Sequence, residues 1–130
     1  MVEANKHIFV KHFLCLMRLM TSAQCPQTAD DWFNKGTAFG KQGKYEGAIK
    51  AYDEAIRLNP NYVDAWINKG NALYMQGKYD EAILCYDEAI RLDPNLVQEW
   101  YNKGVALEAL GKTTEANTAF AKAKELGYSG

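Results

Sequence analysis

The chain has 130 residues, enough for one domain with a buried core and too few for two lobes around a deep cleft. Charged residues make up 24% and hydrophobic residues 48%, which excludes a disordered or low-complexity chain. A formal net charge of −1 argues against a general nucleic-acid binder, because such proteins need a basic face to displace counterions. The three cysteines (Cys15, Cys25 and Cys85) are odd in number and irregular in spacing, so they form neither a disulfide framework nor a zinc knuckle. A reducing, cytoplasmic setting is the simplest fit.

The first predicted element is an apolar helical extension over residues 1–24. Ile8, Phe9, Val10, Phe13, Leu14, Leu16, Met17, Leu19 and Met20 cover most of its circumference, and His7, Lys11 and Arg18 form a narrow polar strip. From Ile8 to Met20 it is 13 residues, short of the ~20 that span a bilayer, so no membrane span is expected. A helix this apolar must be buried against something.

From residue 29 onward the chain repeats. Trp32, Trp66 and Trp100 are 34 residues apart, and the same period joins Gly36, Gly70 and Gly104, then Gly43, Gly77 and Gly111. Ala48, Ala82 and Ala116 keep it, as do Tyr52, Tyr86 and Phe120, and Ala55, Ala89 and Ala123. Residues 29–62 and 63–96 share 21 of 34 positions, and 63–96 and 97–130 share 13. Apolar residues at three- and four-residue steps predict helices near 29–42, 45–58, 63–76, 79–92, 97–110 and 113–126. Glycine in Gln76-Gly77-Lys78 ends one helix, proline in Asp93-Pro94-Asn95 ends the next, and Asn95 is expected to cap the helix after that. Small residues such as Gly36, Ala48 and Ala55 mark places where paired helices approach closely. Asp31 and Glu99, four residues before Lys35 and Lys103, read as solvated pairs, as do Asp53-Glu54 with Arg57 and Asp87-Glu88 with Arg91.

A 34-residue helix–turn–helix carrying Trp, Gly, Ala, Tyr or Phe, Ala and Pro in register resembles the tetratricopeptide repeat family. The resemblance covers residues 29–126 within a domain of 25–130, as repeats 29–62, 63–96 and 97–130. It departs at one position, where Lys35, Lys69 and Lys103 replace a usual leucine. The resemblance implies an all-α fold, a right-handed α–α superhelix whose first helices line a concave groove. It implies a non-catalytic scaffold that binds an extended peptide or protein segment there. By periodicity the groove residues include Phe33, Asn34, Lys41, Asp64, Ile67, Asn68, Asn71, Tyr74, Met75, Tyr101, Asn102 and Glu108. Asn34, Asn68 and Asn102 form a ladder of amides able to grip a peptide backbone, similar to the ladder of O-linked N-acetylglucosamine transferase. The family's clamp for acidic chaperone tails uses two lysines, two asparagines and an arginine. Those places hold Phe33, Thr37, Asn68, Gln98 and Asn102, so every cation is absent. With Asp30, Asp64 and Glu108 against Lys41, a neutral or basic ligand with an apolar anchor is expected.

In the third repeat Asn117 and Lys124 stand where Ile49, Ile56, Ile83 and Ile90 stand before, so this repeat is expected to close the array. The extension has several readings. It packs on the flank of the first repeat, or it pairs with a second copy through Phe9, Phe13, Leu16, Met17 and Met20, which makes homo-oligomeric self-assembly the alternative function. It lies in the groove as a self-ligand, or it serves as a signal or membrane-peripheral segment. Against a signal peptide, Lys11 and Arg18 interrupt the apolar run and Gln24 suits a cleavage site poorly. No phosphate loop, nucleophile elbow or metal motif is present, and neither enzyme activity, cofactor nor metal is expected.

Overall fold

The computed structural model describes residues 28–130, and over that span it holds six α-helices and no strand. They are α1 (Ala29–Lys41), α2 (Tyr45–Leu58), α3 (Val63–Met75), α4 (Tyr79–Leu92), α5 (Val97–Ala109) and α6 (Thr113–Glu125). Each packs against its neighbours in sequence, and α1 also touches α3, so the first helices of successive pairs lie side by side. The result is an all-α helical repeat solenoid. The expected extension over 1–24, with Phe9, Phe13, Leu16, Met17 and Met20, lies outside the described residues.

Glycines set the turn within each pair. Gly43, Gly77 and Gly111 have φ of 73°, 77° and 77°, a conformation that side chains disfavour. The amides of Lys44, Lys78 and Lys112 then donate back to the carbonyls of Phe39, Leu73 and Leu107 at 3.0, 2.9 and 2.9 Å, closing the helix ends. Because Gln42, Gln76 and Leu110 are the C-caps, the first helices end one residue sooner than the spacing predicts.

The connections between pairs differ from expectation. Asn95 does not cap α5; the N-cap is Leu96, with no side-chain hydrogen bond. Instead the Asn95 amide donates to Asp93 Oδ1 at 3.1 Å, and the Asn61 amide donates to Asn59 Oδ1 at 3.1 Å. The polar side chain that shapes the loop therefore sits two residues earlier and closes a local turn. The indoles of Trp66 and Trp100 donate to the carbonyls of Pro60 and Pro94 at 2.9 and 3.2 Å, tying each loop to the helix after it.

Within each pair the helices meet at Gly36, Gly70 and Gly104. A Cβ added there would stand 2.6, 2.8 and 2.5 Å from the rings of Tyr52, Tyr86 and Phe120. Between pairs, Ile49 of α2 packs with Trp66 on a cluster of Leu73, Ala82, Cys85 and Tyr86. Ile83 of α4 does the same with Trp100 on Leu107, Ala116 and Ala119. Two ion pairs reinforce these junctions: Lys69 to Asp53 at 2.6 Å and Lys103 to Asp87 at 2.7 Å. These correct the local pairing expected for Lys103. Glu99 is turned inward and only 7% exposed, while Lys103 reaches back to the preceding helix. Arg57 and Arg91 pair with Glu54 and Glu88, as the spacing predicts.

Candidate functional site

The face made by α1, α3 and α5 carries two adjoining hollows. The first, about 290 Å³, lies between α1 and α3 and takes Thr37, Gly40 and Lys41 from one side and Asn68, Asn71 and Met75 from the other. The second, about 390 Å³, lies between α3 and α5 and is lined by Asn71, Tyr74, Met75, Tyr101, Asn102 and Val105. Asn71 and Met75 belong to both, and Met75 is 60% exposed on the ridge between them. Helical spacing puts these residues on one face of each first helix, and the side-by-side stacking of those helices turns the faces into one surface.

The structure thus brings together Lys41, Asn68, Asn71, Tyr74, Met75, Tyr101 and Asn102. Glu108 lies in a third hollow of about 560 Å³ that shares Tyr101 and is closed by Tyr128. Phe33, Asn34, Asp64 and Ile67 line none of the three. Each of the two central hollows forms between two first helices; Asn68 and Asn102, the counterparts of Asn34, line the side shared with the preceding first helix, and no described helix precedes α1. Phe33 is engaged by its own chain, with ring centroids 5.9 Å from Tyr52 and 5.0 Å from Tyr62. Tyr101 likewise stacks on Tyr128 at 4.3 Å and offers the site its remaining surface.

Hydrogen bonds orient the amides. The Tyr86 hydroxyl donates to Asn71 Oδ1 at 2.7 Å, and Gln98 Nε2 donates to Asn102 Oδ1 at 3.1 Å. In both asparagines the carbonyl is engaged and the amide nitrogen is the remaining donor. Four residues lining these two hollows escaped the periodicity argument: Ala72 on α3, and Tyr45, Tyr52 and Tyr86, which come from second helices. A signal for two of them was in the sequence. Where position 52 or 86 is tyrosine, the residue fifteen earlier is Thr37 or Asn71; where it is Phe120, that residue is Val105. The Tyr52 hydroxyl reaches Thr37 Oγ1 at 3.4 Å, so the polar pair marks a hydroxyl that emerges at the groove.

The two central hollows hold a single charged side chain, and the carboxylates of Asp30 and Asp64 line neither of them. Lys41 is the one cation lining the two central hollows. The Tyr62 hydroxyl donates to Asp30 Oδ1 at 2.7 Å. Burial, then this bond and the nearby charges of Asp30 and Asp64, push it up to about 12, so it stays a neutral donor. Burial also raises the Tyr86 hydroxyl above its usual range and pushes the buried Cys85 thiol up to about 11, which leaves that thiol unreactive. Among the described residues no three His, Cys, Asp or Glu side chains converge as a metal site requires. No described helix is long and apolar enough to cross a membrane.

Two family models described as tetratricopeptide repeat match the sequence, over residues 33–97 and 85–116. Curated proteins provide no match. Among solved structures, a crystal structure of MamA is 31% identical with a TM-score of 0.75, over 76% of this chain and 58% of its own. The chain therefore spans a little over half the length of MamA. The second repeat domain of Spaghetti (RPAP3), bound to the HSP90 peptide SRMEEVD, is 32% identical with a TM-score of 0.73, over 77% of this chain and 93% of its own. The first domain of Spaghetti, bound to the same peptide, is 27% identical with a TM-score of 0.75.

Proposed function

The chain belongs to the tetratricopeptide repeat family, and from that premise we propose that it is a non-catalytic scaffold that binds an extended protein segment along α1, α3 and α5. One observation carries the reading: two adjoining hollows, each with a mainly apolar lining and two asparagine amides, divided by an exposed Met75. An extended segment can place an apolar side chain in each hollow while Asn68, Asn71 and Asn102 meet its backbone. Exposed methionine at such a ridge adapts to side chains of different shape. The peptide-bound Spaghetti domains, at 32% and 27% identity, support a peptide as the class of ligand.

The charge argues for a different peptide from theirs. SRMEEVD is acidic, and a single lysine in the two hollows would leave most of its carboxylates desolvated and unpaired. The ligand proposed here is neutral or basic, with apolar anchors. Probing an array of immobilised seven-residue peptides with the full chain tests this, with SRMEEVD among them. Neutral or basic peptides with apolar anchors should be retained in preference to SRMEEVD. Combined replacement of Asn68 and Asn102 by alanine should weaken the best binder by about 1–3 kcal/mol, at ~0.5–1.5 per hydrogen bond. Selection of acidic peptides alone would overturn the ligand class, and binding indifferent to Asn68, Asn102 and Met75 would overturn the site.

A further inference from the structure

The first helix pair has an open hollow at the place where the other two pairs are filled. It lies beside α1 and α2, measures about 540 Å³, and is lined by Trp32, Lys35, Phe39, Gly47, Lys50 and Ala51 among others. Thirty-four residues on, the counterparts of Trp32, Phe39 and Ala51 are Trp66, Leu73 and Cys85, and Ile49 of the preceding helix packs on them. Another thirty-four on, Ile83 packs in the same way with Trp100, Leu107 and Ala119. Leu73 and Leu107 are 2% and 3% exposed as a result, whereas Phe39 is half-buried. Among the described residues, the first pair has no helix before α1 to fill that place.

The sequence has a segment in that register. Thirty-four residues before Ile49 stands Cys15, and thirty-four before Pro60 stands Pro26. The spacing that puts α2 before α3 and α4 before α5 puts residues 11–24 before α1, with a connection of the same length. Phe13, Leu14, Leu16, Met17 and Leu19 make that stretch more apolar than its counterparts, which include Gly47, Lys50 and Asp53.

We propose that the chain's own residues 11–24 cover this hollow, with Cys15 seated against Trp32 and Phe39 as Ile49 is seated on the next cluster. Leu19 takes the place of Asp53 and Asp87, the partners of Lys69 and Lys103. The segment offers Lys35 no carboxylate there, and the Lys35 ammonium lies over the Trp32 ring, 4.9 Å from its centroid.

Cross-linking in the full chain tests the proposal. With Cys15→Ser, Cys25→Ser, Leu19→Cys and Lys35→Cys, the two new thiols are the reactive pair, since Leu19 stands at the repeat position from which the exposed Asp53 reaches Lys69, and Cys85 is buried. In dilute protein a short bismaleimide should join them within one chain, and leaving out Leu19→Cys should abolish the link. A link between two chains would place a second copy on the hollow and overturn the proposal. So would unlinked chains whose two thiols both react with a monofunctional maleimide. A second measurement guards against loss of folding. Cys15→Asp should speed amide hydrogen exchange in α1 and leave α5 and α6 unchanged, and undisturbed exchange in α1 would also overturn it.

Discussion

At the scale of single residues, Glu99 is the clearest conflict between side chain and surroundings. Its counterpart in the second repeat, Ala65, is fully buried, and Glu99 is itself 7% exposed. Burial raises its carboxyl pKa, and the charges of Asp64 and Asp93 raise it further, against a hydrogen bond from its own backbone. A carboxyl whose folded pKa exceeds its unfolded value favours folding at low pH. That contribution is lost as pH rises through the folded value. Replacing Glu99 with alanine should therefore stabilise the protein at neutral pH by about 1 kcal/mol, the low end of the cost of burying a poorly paired polar group. The gain should shrink as the pH falls through the raised carboxyl value toward the ordinary glutamate range, because the wild-type carboxyl takes up its proton there. Thermal unfolding of both chains across that range checks the sign. A pH-independent difference would mean that Glu99 ionises equally well folded and unfolded.

At the scale of elements, the helices and their pairing were legible because a 34-residue period repeats both the apolar spacing and the turn glycines. The junctions were less so. The Asp53–Lys69 and Asp87–Lys103 pairs join residues sixteen apart on different helices, which rules for neighbours on one helix do not reach. The groove was half legible: the faces of α1, α3 and α5 follow from periodicity, whereas Tyr52 and Tyr86 cross from second helices. The third pair puts Phe120 and Val105 where the second puts Tyr86 and Asn71, with a hydroxyl–amide bond at 2.7 Å. Converting one arrangement into the other should be possible only in concert. Tyr86→Phe alone should cost about 0.5–1.5 kcal/mol, the worth of one net hydrogen bond. In an Asn71→Val background the same change should cost nothing. Urea denaturation of the four chains gives the coupling energy directly, and additive effects would show that the bond contributes nothing to the α3–α4 pair.

At the scale of the whole molecule, stability is a sum of helix-pair terms and junctions between neighbours, so a residue counts by whether a neighbour covers it. Ile83 and Asn117 occupy the same repeat position with opposite surroundings. Ile83 is half-buried on the cluster of Leu107, Ala116 and Ala119, while Asn117 on α6 is exposed. Reciprocal substitutions separate residue type from position. Ile83→Asn places an amide in the α4–α5 junction and strips out the apolar contact. It should cost about 1–3 kcal/mol, below the ~2–5 found for fully buried isoleucine. Asn117→Ile adds an apolar side chain that nothing in the described chain covers, so its effect should stay within about 0.5 kcal/mol. Its consequence should appear in association instead, as a mass that rises with concentration in light scattering, because an exposed isoleucine on a face shaped like an inter-repeat junction invites a second molecule. A stabilising Asn117→Ile in a strictly monomeric chain would mean that α6 already has a covering partner within the molecule. The array would then be closed by contact with that partner and not by the polarity of its last helix.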